Sequence, residues 1–133
     1  MRNSIETAVG RFIAAKYRSA VEVGFGGKTV AAEIVQAAGM PILCTDVHAY
    51  PGCPVPAVVD DCVEPNIPLY SGAEVIYAIR PGTEILPALI SLAKQVGADL
   101  IVYHLGFELY ENGGERIMTE DVMLHRYVHS HQE

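Results

Sequence analysis

The sequence predicts an α/β domain with a mostly parallel, five-stranded sheet in the order 3-2-1-4-5. Three observations carry that expectation. Short apolar runs alternate with segments of helical periodicity; the first run breaks into Gly24-Phe25-Gly26-Gly27; and the second run closes on an acid, Asp46. A domain usually takes roughly 100–200 residues, so the 133 residues form a single domain, 1–133.

The elements follow in order. Ile5, Val9, Phe12 and Ile13 share one helical face, with Asn3 and Glu6 at capping-box spacing before them. Ala20–Val23 is a strand. A helix from Lys28 carries Val30, Ile34, Ala37 and Ala38, with Gly39 and Pro41 to end it. Pro41–Thr45 is a buried strand ending at Asp46. Residues 47–56 hold Pro51, Gly52, Pro54 and Pro56, so no ordinary helix fits there. Ala57–Val59 is a short strand ending in Asp60-Asp61, and residues 62–72 are loop. Val75–Ile79 is a fourth strand, ending in Arg80-Pro81-Gly82. Thr83 is placed to cap a helix running to about Val96, and Leu100–Tyr103 is the fifth strand. Beyond it, Glu111-Asn112-Gly113-Gly114 is a turn signal that folds Phe107–Tyr110 onto Glu115–Met118 as a hairpin or antiparallel edge. Residues 119–128 suit a short helix or a strand.

Composition excludes several classes. With 50% apolar and 19% charged residues the chain is neither disordered nor low-complexity. Nine Lys and Arg against sixteen Asp and Glu give a net charge of −7, which argues against a nucleic-acid or anionic-membrane surface. The apolar run Ile85–Ala93 is far shorter than the ~18 residues of a membrane span. Cys44, Cys53 and Cys62 are an odd set in a core that needs no cross-links. With no secretory leader visible, the expected location is cytoplasmic with reduced thiols.

Three ligand fingerprints compete for residues 22–29. A phosphate-binding loop needs a glycine where Glu22 stands, although Gly27-Lys28-Thr29 supplies its end. A dinucleotide turn of the NAD type fits Gly24 and Gly26 but meets Thr29 at its third glycine. The third pattern, Glu22-Val23-Gly24-Phe25-Gly26, followed by Asp46 at the end of the second strand, resembles the S-adenosylmethionine site of class I methyltransferases. The chain as a whole resembles a small, uncharacterised archaeal family related to them, with a Rossmann-like fold. Val21–Gly24, Cys44–Val47, Val59–Cys62 and Ile76–Pro81 carry that resemblance.

The resemblance implies an adenosine ligand, S-adenosylmethionine or a relative, bound by Glu22, Gly24, Gly26, Gly27, Asp46 and Asp60 or Asp61. Asp46 would take the ribose hydroxyls, and Asp60 or Asp61 the adenine amine. It implies methyl transfer to an acceptor the sequence does not name; a non-catalytic nucleotide-binding or subunit module is the alternative. Three departures are visible: Lys28 in place of a third glycine, no helix in residues 47–56, and a short segment after the fifth strand. Each residue also has a plainer role, as a tight turn, a cap or a solvated acid.

Other constellations are weaker. Cys44, His48, Cys53 and Cys62 contain no Cys-x-x-Cys pair, and no metal is expected; His125, His129 and His131 form a tail. Ser19 lacks a nucleophile elbow. His104, just past the fifth strand, is a candidate base. Arg80 is suited to grip an anion, and its charge would oppose a sulfonium unless Asp60, Asp61 or an acidic substrate neutralises it.

Overall fold

The computed structural model describes residues 3–130. Strands β1 (Ala20–Val23), β2 (Ile42–Asp46), β3 (Ala57–Val59), β4 (Val75–Ile79) and β5 (Asp99–Tyr103) are parallel and lie in the predicted order 3-2-1-4-5. Strands β6 (Glu115–Thr119) and β7 (Val122–Val128) extend the sheet antiparallel, giving β3-β2-β1-β4-β5-β7-β6. Helices α1 (Ser4–Lys16) and α2 (Val30–Ala37) cover one face, and α3 (Leu86–Val96) covers the other.

Burial on both faces explains why Val75–Ile79 of β4 and Leu100–Tyr103 of β5 read as unbroken apolar runs. The pleat sends alternate residues to opposite layers. Val75 and Tyr77 of β4 join the α1/α2 layer, whereas Ile76 and Ala78 join the α3 layer. On β5, Ile101 points to the first layer and Leu100 and Val102 to the second. Pro87 is accepted in the first turn of α3, and Gly97 ends that helix in the left-handed region at φ 73°.

Several expectations need correction. The hairpin is β6–β7, and its turn is Glu120-Asp121, both at positive φ (46° and 64°), as a two-residue connection between right-twisted strands requires. Phe107–Tyr110 is loop, because the glycines at 113 and 114 bend the chain into β6 without returning a strand. The segment after β5 therefore does complete the sheet, with residues 122–128 as strand. Asn3 makes no side-chain cap, and Thr83 does not cap α3; it opens a 3-10 turn, Thr83–Ile85. Helix α2 starts at Val30, two residues later than read.

Helices α1 and α2 meet at a glycine. A Cβ at Gly10 would lie 2.9 Å from the Ala31 carbonyl oxygen and 3.1 Å from Ile34 Cβ. Backbone on backbone leaves no flexible atom to yield. Gly10→Val should therefore lose about 1–3 kcal/mol of stability despite its better helix propensity, read as a lower urea midpoint. An unchanged midpoint would mean that the two helices are free to separate.

Candidate functional site

The glycine turn, Asp46, Asp60 and Arg80 all fall at the carboxyl ends of parallel strands, the rim where open α/β sheets hold ligands. The turn is built on positive φ at Gly24, Gly26 and Gly27 (71°, 63° and 79°). No atom lies within 4 Å of a Cβ placed on Gly26, so the turn faces open space there. At Gly27 the same Cβ would strike the Tyr50 ring at 2.7 Å, and Tyr50 in turn meets Phe25 edge-on at 5.2 Å.

Asp46 fastens this turn. Its Oδ2 accepts the Gly26 N–H at 2.9 Å and its Oδ1 accepts the His48 N–H at 2.9 Å. Each carboxylate oxygen retains a further lone pair for a ligand hydroxyl. The Asp60 N–H donates to the Asp46 carbonyl at 3.0 Å, which sets the two acids side by side. The Asp60 carboxylate accepts the hydroxyl of buried Tyr70 at 2.6 Å and the Asn66 N–H at 3.1 Å. Asp61 is exposed and caps a local turn through the Val63 N–H. A hollow of about 190 Å³ next to Asp46 is lined by Phe25, His48, Tyr50, Val58 and Val59.

Beneath the turn lies a set of charges that spacing alone did not reveal. Glu22 is buried on β1, where Oε1 accepts the Tyr77 hydroxyl at 2.9 Å; burial pushes its carboxyl up to about 8. Glu6, only 2% exposed, turns inward from α1 instead of capping it. Its Oε2 accepts from Arg80 Nη1, and Lys28 Nζ stands 3.7 Å from the same oxygen. Burial would raise the Glu6 carboxyl, but the Arg80 hydrogen bond and the two cationic charges outweigh it and hold it below its ordinary value. Arg80 sits at φ 56°, its N–H on the Tyr103 carbonyl at 2.7 Å and its guanidinium 5.5 Å from the centre of the Tyr103 ring. The acid that neutralises Arg80 is thus Glu6, and neither Asp60 nor Asp61 as expected. The only signal for it was its place three residues after Asn3, which reads equally well as a cap.

His104 follows β5, with Nε2 against the Tyr127 hydroxyl. Among the described residues no group of His, Cys, Asp and Glu gathers as a metal site, and Cys44, Cys53 and Cys62 are free thiols. His131 lies outside the described residues. A larger hollow of about 740 Å³, lined by Tyr17, Glu74, Asp99 and Arg126, opens at the opposite, amino-terminal edge of the strands. No described helix is long and apolar enough to cross a membrane.

Glu22 gives a test of this buried charge. Folded chains keep a proton up to about pH 8 that unfolded chains release near 4.5. Its contribution to stability is complete below about 4.5 and falls as pH rises through 8. Glu22→Gln removes that dependence. The stability of the variant relative to the native chain should therefore increase steadily from pH 5 to pH 9 in urea unfolding. A difference that stays constant across this range would place Glu22 in contact with water.

The fold and this rim can be set beside known proteins. Solved structures with similar architecture include a SAM-dependent methyltransferase from Archaeoglobus fulgidus, at TM-score 0.61 and 13% identity over 82% of this chain and 55% of that one. Streptomyces venezuelae DesVI is similar at TM-score 0.59 and 15% identity, over 90% and 61%. The chain thus spans little more than half of these two structures, and at such identities the likeness shows the fold, a methyltransferase-like Rossmann fold. Closer in sequence are UPF0146 proteins of Archaeoglobus fulgidus, 38% identical over 71% of this chain and 74% of the relative. That of Methanothermobacter thermautotrophicus is 35% identical over 77% and 71%. The model of the uncharacterised protein family UPF0146 matches residues 5–123, and the chain belongs to that family.

Proposed function

We propose that the chain binds S-adenosylmethionine or a closely related adenosine ligand at the rim formed by the glycine turn, Asp46 and Asp60. The observation that carries this reading is the Asp46 carboxylate: fixed by the Gly26 and His48 N–H groups, it stands at the end of β2 beside a turn with open space over Gly26. A ribose presents two adjacent hydroxyls, and a carboxylate with free lone pairs is the acceptor that pairs with them. Between the two neighbouring acids, Asp60 rather than Asp61 suits the adenine amine, since it adjoins Asp46 and is anchored by Tyr70. Val47, exposed directly after Asp46, and the hollow lined by Phe25, Tyr50 and Val58 offer apolar surface to a planar base.

Gly24 and Gly27 shape the turn in this reading, while Glu22 supports it from below. Such a ligand supplies an electrophilic methyl group when bound; what the protein adds is position and electrostatics. Glu6 matters because it cancels Arg80 at the rim. A bare guanidinium about 6 Å from a sulfonium would oppose it by roughly 3 kcal/mol at an effective dielectric near 20. The second reading, a binding module without catalysis, is favoured by His104, whose Nε2 is occupied by Tyr127, and by Arg80, whose guanidinium is engaged by Glu6.

Titration calorimetry with S-adenosylmethionine, its demethylated product and NAD tests the ligand class; stronger binding of NAD would overturn it. Asp46→Ala should weaken the adenosine ligand tenfold or more with the fold retained by circular dichroism. Glu6→Gln leaves Arg80 uncompensated, so the preference should move toward the uncharged product by an order of magnitude or more. Arg80→Ala, in the same background, should restore the ratio. A ratio indifferent to both changes would remove Arg80 and Glu6 from the ligand's surroundings.

A further inference from the structure

A second hollow, of about 300 Å³, opens past the end of β5 between the loop 105–109 and the β6–β7 hairpin. Its size is at the lower limit for a ligand pocket, room for one ring with a substituent. Ile5, Phe107, Leu109 and Val122 line it with apolar surface, and Phe107 stands fully exposed at its wall. The polar groups are His104, His125, Arg116 and Asp121, with Tyr103 between this hollow and Arg80.

The Tyr110 N–H donates to the Tyr127 oxygen at 3.2 Å, and we assign the Tyr127 hydroxyl proton to His104 Nε2, which lies against that oxygen. Burial and neighbouring His125 lower the His104 pKa, and the ring is neutral near pH 7. A neutral ring that accepts at Nε2 carries its hydrogen on Nδ1. That Nδ1–H is buried without any acceptor in the protein. His125 packs on His104 at 5.0 Å, with its own Nδ1 on the Gly113 carbonyl at 2.7 Å. Arg116 is the direct cross-strand partner of His125. A Cβ on Gly113 would lie 3.2 Å from His125 Nδ1 and 3.4 Å from Arg116 Nη2, so both side chains border Gly113.

We propose that this hollow binds a small monocyclic aromatic carboxylate, its carboxylate on Arg116 and the His104 Nδ1–H and its ring against Phe107, Leu109 and Val122. An orphan donor and an exposed guanidinium in one pocket both ask for an acceptor, and a carboxylate answers a guanidinium in two-point fashion. Asp121, at the hairpin turn, disfavours a second negative charge and so selects a monoanion over a phosphate. The exposed loop 105–109 is the element that yields for a ligand atom to reach Nδ1. The site is separate from the adenosine rim and does not depend on that reading.

Isotope-labelled protein titrated with benzoate, and separately with benzamide, tests it by imidazole nitrogen and amide NMR shifts. Benzoate should saturate with roughly millimolar affinity, as fits a ligand of so few atoms, moving the His104 and His125 ring signals; benzamide should bind about tenfold more weakly. Arg116→Gln, on an exposed side chain, should bring benzoate down to the benzamide level, and Phe107→Ala should weaken both. Equal affinities for the two probes, or shifts that miss His104 and His125, would overturn the proposal. Adenosine-ligand calorimetry on the same samples reports on the other site independently.

Discussion

A carboxyl group buried as deeply as that of Glu6 stays ionised only where a cation meets it, and much of the rim is arranged around that requirement. Arg80 arrives from the end of β4 and Lys28 from the glycine turn, while Glu6 itself comes from the first turn of α1. Three segments that are distant in the chain are thereby fixed to one oxygen atom. Removing one member of a buried pair commonly costs about 3–5 kcal/mol, because the other charge is stranded. The contact ties α1 to the end of β4, beside the apolar packing of Ala8, Val9 and Ile13 on the same layer.

Glu22 shows the opposite solution to the same problem. It lies close enough to Glu6 for their charges to interact, and among the described residues the Tyr77 hydroxyl is its side-chain hydrogen-bond donor. With no cation beside it, it meets burial by keeping its proton. The two acids under the turn are therefore inequivalent: one charged and paired, one neutral. Had both been ionised, their repulsion would have added to the desolvation of each. The turn above is in this way supported by a polar layer whose net charge is small.

The parallel core was legible because each signal for it is local. Apolar runs, breaker residues and terminal acids placed β1 to β5 and the glycine turn, and doubly buried strands leave little ambiguity. Asp46 could be named because it ends a strand. Glu6 could not be named as Arg80's partner, since the two are 74 residues apart and only the folded sheet joins them. The hairpin was misplaced for a related reason. Asn112-Gly113-Gly114 is the stronger turn motif by composition, yet Glu120-Asp121 makes the turn because Ile117 and Leu124 must both reach the core, and only that register puts them opposite one another. Tertiary burial overrode local turn chemistry.

Arg80 draws these strands together. Four residues other than glycine adopt positive φ among the described residues, and three of them, Glu111, Glu120 and Asp121, lie in surface turns where solvent absorbs the side chain. Arg80 alone does so at the end of a central strand. Such a conformation costs of order 1–3 kcal/mol and persists only where surrounding contacts over-determine it. Here the Tyr103 carbonyl holds its N–H, the Tyr103 ring receives its guanidinium, and Glu6 fixes its tip. An ordinary extended residue at that point would continue the line of β4 outward. The left-handed step turns the side chain back to α1, so the mouth between the glycine turn and Tyr103 is bordered by a neutralised pair instead of a free cation. The strain is thus coupled to the charge balance: relaxing the backbone would separate Arg80 from Glu6, leaving a buried carboxylate on one side and an unmatched guanidinium at the rim on the other.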